Sequence, residues 1–271
     1  YQYNRLVVHE WSLRYFGEFF VTQAGLVTPP VFILGCMGLA ASLRGEGGSY
    51  GARVLINAMI WPIVVYFAWH TFHGRVEGNW PEPVHVAFVI AAAVAVEKIK
   101  WTGGWAGVEK WSQRLAVPIG VTIAACLYVQ AVFGVVPVGP ADPTARALGA
   151  GWKDLAPKMD AVRVQLGAPV VLTMNYGLTA WLAFYLPSHP PVEQINIRMR
   201  YVNAPEPDPA LFRGAIMYVC MVQCTEMPLI QQRFASVEKV TSLMRERHGV
   251  PIQGYDIYRL SGPIGPPLDP P

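Results

Sequence analysis

The sequence predicts a membrane all-α bundle of about four transmembrane helices, preceded by an interfacial helix and followed by a small C-terminal α/β extracytoplasmic domain. Charged residues make up only 14% of the 271 residues, whereas a soluble domain has about a quarter. Ranges 19–43 and 115–141 contain no charged residue, and a helix needs roughly 20 apolar residues to cross a bilayer. After Gly139 the composition becomes that of a water-soluble domain.

The membrane part begins with range 1–20, which mixes aromatic and charged side chains. This mixture predicts an interfacial amphipathic segment, and the end of a longer polar loop explains it equally well. The transmembrane region, 21–139, is expected to hold helices at about 21–43, 54–72, 81–98 and 115–138. The third is the shortest, and three of them contain prolines that would kink them.

Basic residues set the expected orientation. Loops 44–53 and 97–114 are rich in Lys and Arg, whereas the loop between the second and third helices has only Arg75. Because positive residues favour the cytoplasmic face, the two basic loops are predicted to lie inside and the Arg75 loop outside. Two further helices, the third and the fourth, separate the Arg75 loop from the C-terminal domain. The C-terminal domain is therefore predicted to lie outside as well.

The soluble α/β domain is expected over 140–261, with a proline-rich tail at 262–271. Helices are predicted at 152–166, 176–186 and 227–234, and strands at 169–173, 192–195, 216–220 and 255–260. The sequence has no glycine-rich nucleotide-binding motif and no nucleophile elbow. The four cysteines match no metal or redox spacing, so core packing is the expected role for each.

The polar loop 70–83 carries the most informative side chains. Arg75 offers a fork of donors that fits a phosphate, Glu77 a carboxylate, Asn79 a hydrogen-bonding amide, and Trp80 a flat apolar platform. Arg and Trp at helix ends are also ordinary membrane-interface anchors, and that alternative stays open.

Histidines raise the question of a metal. His70 and His73 are one helical turn apart and His85 follows the loop, so the first two are weak candidate ligands for a divalent ion. Such spacing is common by chance, and no cofactor is assigned. The net charge of +3 and the lack of a basic stripe exclude nucleic acid as an expected partner.

Three stretches carry a resemblance to a known family. Ranges 16–34 (FGEFFVTQAGLVTPPVFIL), 75–85 (RVEGNWPEPVH) and 175–187 (NYGLTAWLAFYLP) with 194–201 (QINIRMRY) resemble the C-terminal half of GT-C membrane glycosyltransferases of the protein mannosyltransferase and aminoarabinose transferase-like superfamily. In that family an N-W-P-x-P-x-Y pattern opens a helix after an outer loop, and His85 stands where the family often has Tyr.

The resemblance implies hexosyl or pentosyl transfer from a polyprenyl-phosphate-linked sugar, outside the bacterial inner (cytoplasmic) membrane, by a multi-pass protein with a periplasmic C-terminal domain. It implies a catalytic carboxylate upstream of Tyr1, so no catalytic residue is assigned. The expected partners are the lipid-linked sugar, membrane lipid and further membrane subunits. The expected substrate-binding residues are Arg75, Glu77, Asn79, Trp80, His85, Tyr176, Asn196 and Arg198.

Two other roles compete with the enzyme. A non-catalytic accessory or scaffold subunit derived from the same family would keep the spans and the outer domain without a catalytic base. A transporter is the weaker alternative, because hardly any ionisable group lies in the middle of a predicted span.

Overall fold

The computed structural model describes residues 13–270, and the chain divides after Cys126 into a helical unit and a unit built on a sheet. Most of the predicted interfacial segment, 1–12, lies outside the described residues. Range 14–20 belongs to the first described helix.

The helical unit contains five described helices, the last of which continues past Cys126. They are α1 (Arg14–Leu26), α2 (Pro29–Leu43), α3 (Tyr50–His70), α4 (Glu82–Glu97) and α5 (Gly104–Phe133). Each of the four expected spans contains or overlaps at least one of them. α5 begins eleven residues before the predicted start at 115, because the charged residues of 109–114 continue the helix rather than end it.

The predicted helix 21–43 is divided in two by a sharp break. α1 and α2 meet at an angle of 107°, and Thr28 between them has a φ of 72°. Pro29 and Pro30 explain the position of the break, since a residue before proline is disfavoured in the helical conformation.

Two helices, α3 and α5, are long and apolar enough to cross a membrane, and α1 with α2 makes a third if the bent pair is one span. α4 has only 16 residues, below the lower limit of about 17 for a spanning helix. The described residues therefore support two to three spans, and the expected count of about four is not confirmed.

Small residues bring α2 and α4 into close contact. A side chain at Gly35 would collide with the Phe88 ring, and one at Gly38 with the backbone carbonyl of Ala91. Ala91, together with other alanines of α4, is buried in this contact. Small residues at such interfaces let helix backbones approach in a lipid environment, where the hydrophobic effect does not drive helices together.

The second unit is a five-stranded mixed sheet in the order β2-β1-β3-β5-β4. Its strands are β1 (Val171–Thr173), β2 (Val192–Gln194), β3 (Ile216–Met221), β4 (Phe234–Arg247) and β5 (Val250–Pro263). β1 pairs in parallel with both β2 and β3, whereas β5 is antiparallel to β3 and β4. The expected C-terminal α/β domain is thus present as a mixed sheet with helices.

Four α-helices and three short 3₁₀-helices accompany the sheet in the described part of the chain. The α-helices are α6 (Pro143–Ala147), α7 (Trp152–Gln165), α8 (Tyr176–Tyr185) and α9 (Met227–Arg233), and the 3₁₀-helices are Gly139–Ala141, Arg198–Tyr201 and Pro209–Phe212. Alternate residues of β3 face two cores, because successive strand side chains point to opposite faces. Met217 and Val219 pack with α7 and α8, whereas Tyr218 and Cys220 pack with Ile230 of α9.

The expectation of core packing for all four cysteines is wrong for Cys36 and Cys126, which are exposed, and it did not foresee a disulfide. Cys220, at the end of β3, forms a disulfide with Cys224 in the following turn. Cys36 and Cys126 are free thiols.

Candidate functional site

The polar loop predicted at 70–83 is observed as loop 71–81, between α3 and α4. An ion pair links this loop to α1. The Arg75 guanidinium donates from Nε to Glu18 Oε1 at 2.7 Å, and its Nη2 lies 2.6 Å from the same oxygen. The two side chains are 61% and 38% exposed. The pair is therefore open to solvent, and an exposed pair of this kind contributes only about 0.2–1 kcal/mol to stability.

A second set of hydrogen bonds links the loop, α1 and the start of α4. Gln23 donates from Nε2 to the Gly78 carbonyl at 3.1 Å, and its Oε1 lies 2.7 Å from His85 Nε2. Gly78 packs so closely on α1 that an added Cβ would lie 2.9 Å from the Thr22 methyl. The shared partner Gln23 therefore places His85 beside the loop.

The remaining loop candidates face outward. Glu77 and Asn79 are exposed, and their backbone carbonyls accept the turn hydrogen bonds from Trp80 and Glu82. Trp80 is 42% exposed, with its ring 6.2 Å from the rings of Phe67 and His70. Glu77 and Asn79 are accessible to a ligand, and Trp80 packs on the end of α3.

An apolar cavity of about 310 Å³ borders loop 71–81 at Pro81. Its walls come from α1, α2, α3 and α4, and Gln23 and His85 are polar residues at its boundary. The apolar lining consists of Phe19, Phe20, Val27, Phe32, Leu39, Ile60, Trp61, Val64, Pro81, Val84 and Phe88, with Cys36 among them. The volume is at the lower end of the range for small-molecule sites, about 300–1,000 Å³.

The histidines do not form a metal site within residues 13–270, where no group of three or more His, Cys, Asp or Glu side chains is placed to hold an ion. His70 is buried and stacks with Tyr66 at 6.3 Å, and His73 Nδ1 lies 3.3 Å from the Trp69 carbonyl. Both rings therefore pack into the aromatic end of α3.

In the sheet unit, two of the three candidates belong to an internal polar network. Arg198 is 3% exposed and pairs with Glu193 at 2.6 Å, and Asn196 accepts a hydrogen bond from Gln194. Tyr176 is 58% exposed at the start of α8, with the Arg200 guanidinium 4.6 Å from its ring centre. Tyr176 is the candidate of this group that is accessible.

Sequence reasoning missed Glu18 and Gln23, the two side chains of α1 that hold the loop. Each is a polar residue in a helix otherwise made largely of aromatic and aliphatic side chains. That isolation is a usable signal, but the partners are 57 and 55 residues away, and the sequence does not identify them.

In comparisons with known proteins, no family model, curated protein or solved structure matches the chain.

Proposed function

We propose that this chain is part of an integral-membrane glycosyltransferase. The enzyme would use a polyprenyl-phosphate-linked sugar on the extracytoplasmic face of a bacterial inner membrane. In this proposal the helical unit binds the lipid carrier: the phosphate contacts Arg75 and the first prenyl units enter the apolar cavity. The observation that carries the proposal is an apolar cavity that borders loop 71–81 at Pro81. The exposed Arg75 of the same loop pairs with Glu18, which precedes the cavity-lining Phe19 in α1.

The chemistry of loop 71–81 suits a phosphate that leaves during transfer. Arg75 can present two parallel N–H donors to a phosphate, as it presents two nitrogens to Glu18 Oε1. Because the Arg75–Glu18 pair is exposed, exchanging the carboxylate for a phosphate costs little. Trp80 and Asn79, which are exposed in the same loop, are the proposed contacts of the sugar.

The disulfide supports the proposed compartment for the sheet unit. Disulfides persist in the periplasm and are rare in the reducing cytoplasm. Cys220–Cys224 therefore favours a sheet unit outside the cytoplasmic membrane.

Binding of undecaprenyl phosphate to the purified chain, measured by native mass spectrometry in detergent, tests the proposal. Cys36→Trp fills the cavity and is expected to abolish binding. Cys126→Trp changes the other free cysteine, which is exposed on α5, and should leave binding intact. Equal binding by both variants would remove the cavity from the site.

Arg75 is tested against a matched arginine. Arg75→Ala is expected to weaken undecaprenyl phosphate binding about tenfold or more, as expected for loss of a charged hydrogen bond. Arg44→Ala removes another exposed, ion-paired arginine, paired with Glu46 at 3.2 Å, and should leave binding unchanged. Glu18→Gln frees Arg75 from its competitor and should strengthen binding.

A non-catalytic scaffold subunit is the second candidate, and one observation favours it. The 18-residue apolar stretch of α5 has no residue buried against the other described residues. Its surface is therefore open to lipid or to partner helices. Co-purification of stoichiometric membrane partners, lost on Leu127→Lys, together with no binding of the lipid phosphate, would favour the scaffold over the enzyme.

A further inference from the structure

A cleft in the sheet unit has the chemistry of an anion site. It opens where β1 ends, and β1 is flanked by β2 on one side and β3 on the other. The chain leaves β1 through α8 to β2, and β3 then pairs on the opposite side of β1. In open α/β sheets, ligands bind outside the carboxyl ends of the strands at such a reversal of strand order.

The cleft has a volume of about 550 Å³ and is walled by residues of α6, α8, β3, β4 and β5. No Asp or Glu is among the described residues that line it. We call it the arginine cleft. The charged, amide and aromatic side chains of its wall are Arg146, Asn175, Tyr176, Trp181, Arg245, Gln253 and Tyr255.

Arg245 of β4 is the unusual member. The residue is 3% exposed, its Nε is buried without a hydrogen-bond partner, and no ion pair among residues 13–270 includes it. Its guanidinium lies 5.5 Å from the centre of the Trp152 ring. This cation–π contact is attractive, but it does not neutralise the positive charge. A buried charge without a counterion costs several kcal/mol.

Two other arginines of the unit, the half-buried Arg163 and the buried Arg198, have carboxylate partners. The half-buried Arg247 has no ion pair among the described residues, but its guanidinium donates to the Ala131 carbonyl. Arg163 pairs with Asp160 at 2.7 Å, and Arg198 pairs with Glu193 at 2.6 Å. The unit therefore supplies a carboxylate to each of these and, within the described residues, none to Arg245.

A second positive group faces the same cleft. Arg146 is exposed and has no ion pair within the part of the chain that the structure describes. Burial lowers the pKa of Arg245; Tyr255 acts in the opposite direction, and the charge of Arg146 lowers that pKa further. The first turn of α8, a ten-residue helix, adds the positive end of the helix dipole, and Asn175 Oδ1 already accepts from the Leu178 N–H of that turn.

We propose that the arginine cleft binds a phosphate monoester, with the phosphate held by Arg146 and Arg245 and the body of the molecule against Tyr176 and Trp181. Two guanidinium groups match a phosphate monoester, whose charge is about −1.5 to −2 at pH 7. The exposed ring of Tyr176 supplies an apolar face for the rest of the ligand.

Isothermal titration of the full chain in detergent with phenyl phosphate, inorganic phosphate and phenol tests the proposal. Phenyl phosphate is expected to bind more tightly than inorganic phosphate, and phenol should show no saturable binding. Arg146→Gln and Arg245→Met should each weaken phenyl phosphate binding about tenfold or more. Arg213→Gln removes an exposed arginine outside the cleft and should change the affinity by less than about twofold.

Thermal unfolding separates a binding role from a structural one. Because Arg245→Met removes an uncompensated buried charge, the ligand-free variant should melt at or above the wild-type temperature. Phenyl phosphate should raise the Tm of the wild type but no longer that of the variant, since a ligand stabilises only a fold that binds it.

Phenyl phosphate binding in nanodiscs distinguishes a lipid phosphate monoester from a soluble one as the natural ligand. Weaker phenyl phosphate binding in phosphatidic acid than in phosphatidylglycerol, which is also anionic but is a diester, indicates that a lipid monoester competes for the cleft. Equal binding in the two lipids indicates a soluble monoester. No saturable binding of either phosphate probe to the wild type, or an unchanged affinity in Arg146→Gln, would overturn the proposal.

Discussion

Two ion pairs, one in each unit, differ in how far solvent reaches them. In the helical unit, the Arg75–Glu18 pair lies at the loop with side chains 61% and 38% exposed. In the sheet unit, the Arg163–Asp160 pair is only 13% and 10% exposed, and it also binds Ser188. An exposed pair can exchange its partner for a ligand at little cost, whereas a largely buried pair stabilises the fold.

The largest expected effect is at the buried pair. Asp160→Ala leaves Arg163 without its carboxylate and Ser188 without its acceptors, and should lower the free energy of unfolding by about 3–5 kcal/mol. Hydrogen exchange of the α7 and β1 amides in the full chain measures this loss. Asp154→Ala, an exposed change on the same helix, is the control. Equal protection in both variants would contradict the structural role of Asp160.

The helical unit should be more sensitive to volume than to charge. Gly38→Ala places a Cβ against the Ala91 carbonyl and should lower stability by about 1–3 kcal/mol through overpacking. Gly17→Ala, in open space on α1, should raise stability by about 0.5–1 kcal/mol through helix propensity. The Tm in detergent checks both. A Gly38→Ala variant as stable as the wild type would contradict the close α2–α4 contact.

Acid should destabilise the sheet unit through its buried carboxylates. Burial raises the pKa of Asp160, but hydrogen bonds from Arg163 and Ser188 more than offset this and bring the pKa below its ordinary value. A carboxyl whose folded pKa is depressed stabilises the fold above its unfolded pKa of about 3.9, and this contribution is lost as the pH falls towards the folded pKa. Exchange protection of α7 should thus be constant from neutral pH down to about 5 and decline below about 4. Asp160→Asn should remove much of that decline; an unchanged acid profile would exclude Asp160 as its source.

The smallest expected effect is the stability change at the exposed pair. Arg75→Ala should lower the free energy of unfolding by no more than about 1 kcal/mol, because an exposed ion pair contributes little. The Tm of the ligand-free protein in detergent is the measurement, with Arg44→Ala as the reference. A loss as large as that in Asp160→Ala would mean that Arg75 maintains the fold rather than binding a ligand.

Much of the secondary structure could be predicted from the sequence, because it depends on local patterns. Long uncharged runs predicted α3 and α5, and β3 was expected within one residue of its observed end at Met221. A kink at Pro29 and Pro30 was expected within one helix, but the bend of 107° at Thr28 is sharp enough to divide that helix into α1 and α2. β4 was missed, since its exposed side chains lack the apolar run typical of a buried strand.

The sites were harder to predict because their partners are distant in sequence or come from other elements. Arg75 and Arg198 look alike as arginines in the sequence, yet one is exposed in loop 71–81 and the other is buried between Glu193 and Glu206. Nothing in the sequence distinguishes Arg245 from other arginines. It is unusual only because no carboxylate pairs with it among the described residues. Burial and pairing depend on the tertiary structure, which no local pattern encodes.

Cysteine accessibility in whole cells tests the proposed topology most directly. In that proposal, loop 71–81 and the sheet unit are expected in one compartment, on the outer side of a membrane that the helices cross. In a background with Cys36 and Cys126 replaced by Ala, Glu77→Cys and Lys158→Cys should react with an impermeant maleimide added outside. Glu46→Cys, in the basic loop, should react only after the membrane is opened. Labelling of Glu77→Cys and Lys158→Cys from opposite sides would contradict the account.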